Sequence, residues 1–81
     1  MTNNETFAEE EPFRLHAYRK NELALMYFPD LCKESAGKNL RRWIKNCKEL
    51  YSQLVQEGYD KNRKFYLRRE VELIVEYLGL P

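Results

Sequence analysis

The stretch ELALMYFPDLCKESAGKNLRRWIKN, residues 22–46, carries two helical patterns on either side of a break. In the first, KNELALMY, Leu23, Met26 and Tyr27 line one face, and Pro29 disfavours helical backbone at Phe28. Two turns of helix do not hold alone in water, so this segment must pack on something. The second pattern runs from about Ser35 to Asn46. At ~100° per residue, Ala36, Leu40, Trp43, Ile44 and Cys47 share an arc of roughly 100°, with Lys38, Arg41, Arg42 and Lys45 centred opposite. No acid falls between Ala36 and Cys47, so the basic row lacks the i±4 partners that solvated helix faces usually carry.

Working outward, NCKE matches a capping box, with Asn46 as cap and Glu49 at the third position, and predicts a third helix from about Lys48 to Glu57. Leu50, Leu54 and Val55 are its apolar stripe, and Gly58 is its left-handed end. YDKNRKFYL then reads as a basic turn leading into an aromatic strand, FYL. Val71, Ile74, Val75 and Leu78 repeat at i, i+3, i+4 and i+7 and predict a closing helix that GLP stops. Upstream, FRLHAY alternates apolar and polar residues and predicts a short N-terminal strand or extended arm. The expected fold is therefore mainly α. It is a small helix-turn-helix or winged-helix-like domain of about four helices, with a short N-terminal strand and a short strand or wing before the last helix.

Eighty-one residues allow one domain, with 43% hydrophobic and 14% aromatic residues, ordinary for a folded chain. The net charge of +1 conceals a split. Residues 1–12 carry Glu5, Glu9, Glu10 and Glu11 and no base, and are read as an acidic flexible tail. Residues 13–81, the expected domain, hold all 14 lysines and arginines against 9 acids. No apolar run approaches the roughly 20 residues of a membrane span, and no secretory signal is visible, so a cytoplasmic protein is expected. Cys32 and Cys47, with the lone His16 elsewhere, do not have zinc-site spacing. Cys47 reads as a small core residue and Cys32 as lying near a helix start. Paired carboxylates, an activated nucleophile and a glycine-rich phosphate loop are all missing from the pattern, so neither catalysis nor a cofactor nor a metal is expected.

What remains is recognition. A helix-turn-helix needs a short first helix, a tight break and a second helix with one face for the core and one for phosphates and base edges. Ala36, Leu40 and Ile44 suit the first duty, with Ala36 small enough for a close helix crossing. Lys38, Asn39, Arg41, Arg42 and Lys45 suit the second, since arginine grips guanine and asparagine grips adenine bidentately. Lys61, Arg63 and Lys64 on the basic turn are the expected secondary phosphate contacts. Arg68 and Arg69 open the closing helix, where the helix dipole prefers acids, a mild cost that hints at an anionic partner. Double-stranded DNA is the expected partner. The alternative is a protein-interaction module that docks an acidic partner on the same basic face, and a homodimer is compatible with either reading.

ELA, YFP, LRRWI and IVEYLG, within residues 13–81, resemble a family of short bacterial proteins known as a domain of unknown function and met chiefly in anaerobic gut bacteria. The resemblance implies a compact, mainly helical domain and brings no activity with it. More loosely, the layout is similar to winged-helix regulators of the MerR and excisionase type. There, segments like Glu22 to Ala24, Leu40 to Trp43 and Gly58 to Tyr66 form the first helix, the second helix and the wing. The chain departs from that pattern in the extra helix before the wing and in having no coiled coil after Arg69 and its helix.

Overall fold

A computed structural model of the protein describes residues 13–81, so the acidic segment 1–12 lies outside the described residues. The element order is β1 (Tyr18–Arg19), α1 (Lys20–Tyr27), α2 (Lys33–Asn46), α3 (Lys48–Gln56), β2 (Phe65–Tyr66) and α4 (Arg68–Leu78). The chain is mainly helical, with one short strand before the helices and a second before the last, as the patterns predict.

The two strands pair antiparallel, Tyr18 with Tyr66 and Arg19 with Phe65, and the Lys20 N–H extends the contact to the Lys64 carbonyl at 2.9 Å. This pairing sets the start of α1 beside Lys64, at the incoming end of β2, while α4 leaves from the opposite end of the ladder. The N-terminal strand is shorter and later than the alternation in FRLHAY suggests. Only residues facing a partner strand complete a ladder, and Phe65–Tyr66 offers just two positions.

All four helices contribute to one core. Leu23 and Ala24 of α1, Ala36, Leu40 and Ile44 of α2, Leu50 and Leu54 of α3, Tyr66, and Val71, Leu73 and Ile74 of α4 are buried. Each fully buried leucine or isoleucine contributes about 1.5–3 kcal/mol. Val75 and Leu78 pack on this core part-buried. α1 packs most extensively on α2. Their close approach falls at Gly37, where an added Cβ would lie 2.6 Å from the Asn21 Oδ1, so the small residue that serves the crossing is Gly37 as well as Ala36.

Three expectations are corrected. The inner face of α1 is Leu23, Ala24 and half-buried Tyr27, while Met26 is exposed. Val55 is exposed on α3, whose buried stripe is Leu50 and Leu54 flanked by Tyr51. The capping box at Asn46 does not form. α2 runs through Asn46, Cys47 becomes the cap residue of α3, and no side chain caps it. The turn between the two helices takes a single residue, which leaves Asn46 helical and unable to adopt the extended backbone of a cap. Gly58, by contrast, has φ +89°, as a left-handed helix end requires.

Candidate functional site

The basic face of α2 and the loop joining α3 to β2 form the two sides of one concave surface. Leu40 and Ile44 turn inward, so the helical repeat turns Lys38, Arg41, Arg42 and Lys45 outward, and all four are exposed. These four, with Asn46, Tyr51, Tyr59, Lys61 and Asn62, line a groove of about 650 Å³ to which the described residues bring five cations and no acid. A second groove of about 570 Å³ shares Arg41, Lys61 and Asn62 with the first. It adds Arg19, Lys20, Lys33, Arg63 and Lys64, against a single acid, Glu22. Among the described residues, none of Lys38, Arg41, Arg42, Lys45, Lys61 and Lys64 forms an ion pair. Their field is therefore available to a ligand, and a concave surface of one sign concentrates it.

The loop is held in place from beneath by two inward-facing bases. The Arg63 guanidinium donates to both carboxylate oxygens of Glu70, at 2.9 and 3.2 Å, and to the carbonyls of Phe65 and Gly58 at 3.0 and 3.2 Å. Glu70 is buried and also accepts the Leu67 N–H at 2.9 Å, which satisfies the first turn of α4. The hydrogen bond to Glu70 raises the arginine's pKa above its ordinary value. From the other side, the Lys20 Nζ donates to the Asp60 carbonyl at 2.9 Å and lies 4.7 and 5.3 Å from the ring centres of Tyr59 and Tyr66. Burial holds the Lys20 pKa below its ordinary 10.5. Asp60 caps the turn by accepting the Asn62 N–H at 2.8 Å. With its backbone fastened at Gly58, Asp60 and Phe65, the loop offers Lys61, Asn62 and Lys64 to solvent in a fixed arrangement.

Of the residues expected to contact a ligand, Lys38, Arg41, Arg42, Lys45 and Lys61 line the first groove, and Lys64 joins Arg41 and Lys61 in the second. Arg63 borders the second groove, but Glu70 and two carbonyls occupy its donors, so it organises the loop and is not a free phosphate contact. Asn39 lines neither groove, and its Oδ1 accepts from the Arg42 guanidinium at 3.1 Å. Arg68 and Arg69 do not add to the surplus either. Glu72 lies 3.6 Å from Arg68 and 3.1 Å from Arg69, and Glu57 lies 3.5 Å from Arg69. The expected electrostatic cost at the start of α4 is thus offset by acids within the protein.

Groove residues that sequence patterns leave unmarked include Tyr51 and Tyr59 in the first groove and Arg19, Lys20 and Lys33 in the second. Tyr51 sits beside the apolar stripe of α3, and Tyr59 looks like a turn residue until the fold brings it opposite α2.

Elsewhere, Trp43 is 45% exposed and packs edge-on against Phe28 with ring centres 4.7 Å apart, a core-edge position. Cys32 and Cys47 are free thiols, the first exposed and the second half-buried. Hydrogen bonds from Ser35 hold the Cys32 pKa below its ordinary value. His16 is exposed, stacks on Tyr18 and donates from Nδ1 to the Ala17 carbonyl. Among the described residues there is no cluster of three or more histidine, cysteine or acidic side chains able to hold a metal ion, and no helix is long and apolar enough to cross a membrane.

A family model described as a domain of unknown function (DUF4248) matches residues 14–81. No curated protein and no solved structure matches the chain.

Proposed function

The chain belongs to the DUF4248 family, and we propose that it is a DNA-binding domain of accessory or regulatory type. The observation that supports this reading best is the pair of contiguous grooves, in which the basic face of α2 meets Lys61 and Lys64 with one acid in the lining. The α1–turn–α2 unit serves as the helix-turn-helix, and the fastened loop before β2 plays the part of a wing. Arg41, shared by both grooves, is the central contact. Arg42, Lys38, Lys45, Lys61 and Lys64 extend it along a phosphate backbone.

Each phosphate contact releases condensed counterions, so affinity for duplex falls with salt with a slope of about 0.9 per contact in log–log form. Fluorescence polarisation on a mixed-sequence duplex across a salt series tests this. With five or six cations engaged, a slope of about −4.5 to −5.5 is expected. No binding at low salt would set the reading aside.

Trp43 favours the second reading. Its exposed ring next to a basic helix face is the composition of a protein-docking surface, with an acidic segment as the partner. A Trp43→Ala variant that keeps full duplex affinity separates the two surfaces.

A further inference from the structure

The two grooves differ in one respect that phosphate binding alone does not use. The first contains Tyr51 and Tyr59, whose rings stand edge to face with centres 6.3 Å apart, while the second has no aromatic residue on its exposed outer wall of Lys61 and Lys64. Tyr59 is a fixed platform, because Tyr66 lies near-parallel to it at 6.3 Å and the Lys20 Nζ contacts both rings, 4.7 and 5.3 Å from their centres. An aromatic ring gains little from a phosphate, whereas aromatic rings set among cations suit a flat base with a phosphate attached. Within a duplex the base faces are already covered by their neighbours, so a tyrosine can stack only on a base that is unpaired. The groove volume of about 650 Å³ lies within the ~300–1,000 Å³ of sites that hold one small ligand.

We infer that the first groove seats an unpaired nucleotide, with its base against Tyr51 and Tyr59 and its phosphates held by Arg41, Arg42 and Lys61. This rests on the nucleic-acid reading above and refines it, since the preferred ligand becomes a duplex with a single-stranded extension. A free nucleotide presents the same base and phosphate, so the test must separate the two sources.

The full chain is titrated at low salt into three labelled DNAs: a blunt duplex, the same duplex with a five-nucleotide extension, and the same duplex with an abasic extension. The two extensions carry equal phosphate, so any difference between them reports the bases. The expected result is roughly 5- to 150-fold tighter binding to the base-bearing extension than to the abasic one. Tyr51→Leu should abolish that difference, while Tyr51→Phe should retain it. Circular dichroism melting confirms that both variants are folded. Adenosine monophosphate that displaces the extended DNA at micromolar concentration would support the seat and assign it to free nucleotides. Displacement only at millimolar concentration or above would support the seat and assign it to strand ends. Equal binding of the base-bearing and abasic extensions overturns the inference while the blunt-duplex result stands, and failure of all three DNAs to bind overturns the inference and the DNA reading together.

Discussion

The tripeptide Leu-Arg-Arg occurs twice, as Leu40–Arg42 in the middle of α2 and as Leu67–Arg69 at the start of α4, and the two copies end up in opposite circumstances. In α2 the leucine is fully buried and both arginines stand exposed in a concave basic surface, with no acid among the described residues in ion-pairing range. In α4 the leucine is the 45%-exposed cap residue, and both arginines are paired to Glu57 or Glu72. The difference arises one helical turn further along. After Arg41 and Arg42 the helix supplies Lys45 and Asn46. After Arg68 and Arg69 it supplies Glu72, on the same face. A pair of arginines is available for recognition only where its helical neighbours leave it unbalanced.

The largest effect should come from the leucines. Leu40→Ala empties a fully buried site between helices and should cost ~2–5 kcal/mol, whereas Leu67→Ala, at an exposed cap, should stay within ~0.5 kcal/mol. Denaturant melts of the two variants measure this, and similar losses would mean that the two tripeptides are not differently packed.

Next in size is Glu70, the acid directly after the second copy. Glu70→Gln leaves the Arg63 charge without its counter-charge in a part-buried setting, and should cost ~2–3 kcal/mol. It should also loosen the loop, so amide hydrogens across residues 58–66 should exchange faster than those of α2. Unchanged exchange there would show that the loop is held by Lys20 and packing alone.

The smallest effect belongs to the exposed pairs of α4. Arg68→Ala with Arg69→Ala together should lose no more than ~1 kcal/mol, because solvent-exposed ion pairs of this kind contribute little. A larger loss in the same denaturant melts would make these arginines part of the scaffold.

How far such contrasts can be read in advance depends on their range. The separation of α2 into two faces, the periodicity of α4, the strand at Phe65 and the left-handed Gly58 are all local, and each is legible from spacing. The partner of Arg63 is not, because Glu70 lies seven residues away across a strand and a helix start, and only the fold decides that the two meet. The same holds for Lys20, whose burial depends on Asp60, Tyr59 and Tyr66, roughly 40 or more residues further along. Arg63 looks like Lys61 and Lys64 in the sequence and differs from them only in the fold. Tyr51 and Tyr59 are legible as aromatics but acquire a common groove only when α3 and its loop turn back across α2. The shift of the α3 cap from Asn46 to Cys47 shows the limit of local signals, since a favourable capping pattern does not form where the connection is one residue long.

The most direct test reverses both copies in parallel. Arg41→Glu with Arg42→Glu, and Arg68→Glu with Arg69→Glu, change the net charge equally and can be compared on one mixed-sequence duplex at low salt. Both variants should melt close to the parent, because all four side chains are exposed. The α2 reversal should weaken duplex binding by roughly 100-fold or more through the loss of two charged contacts, and the α4 reversal should leave it within about 3-fold of the parent. Equal losses from the two reversals would contradict the account, because the basic face of α2 would then be no more than a share of the overall charge.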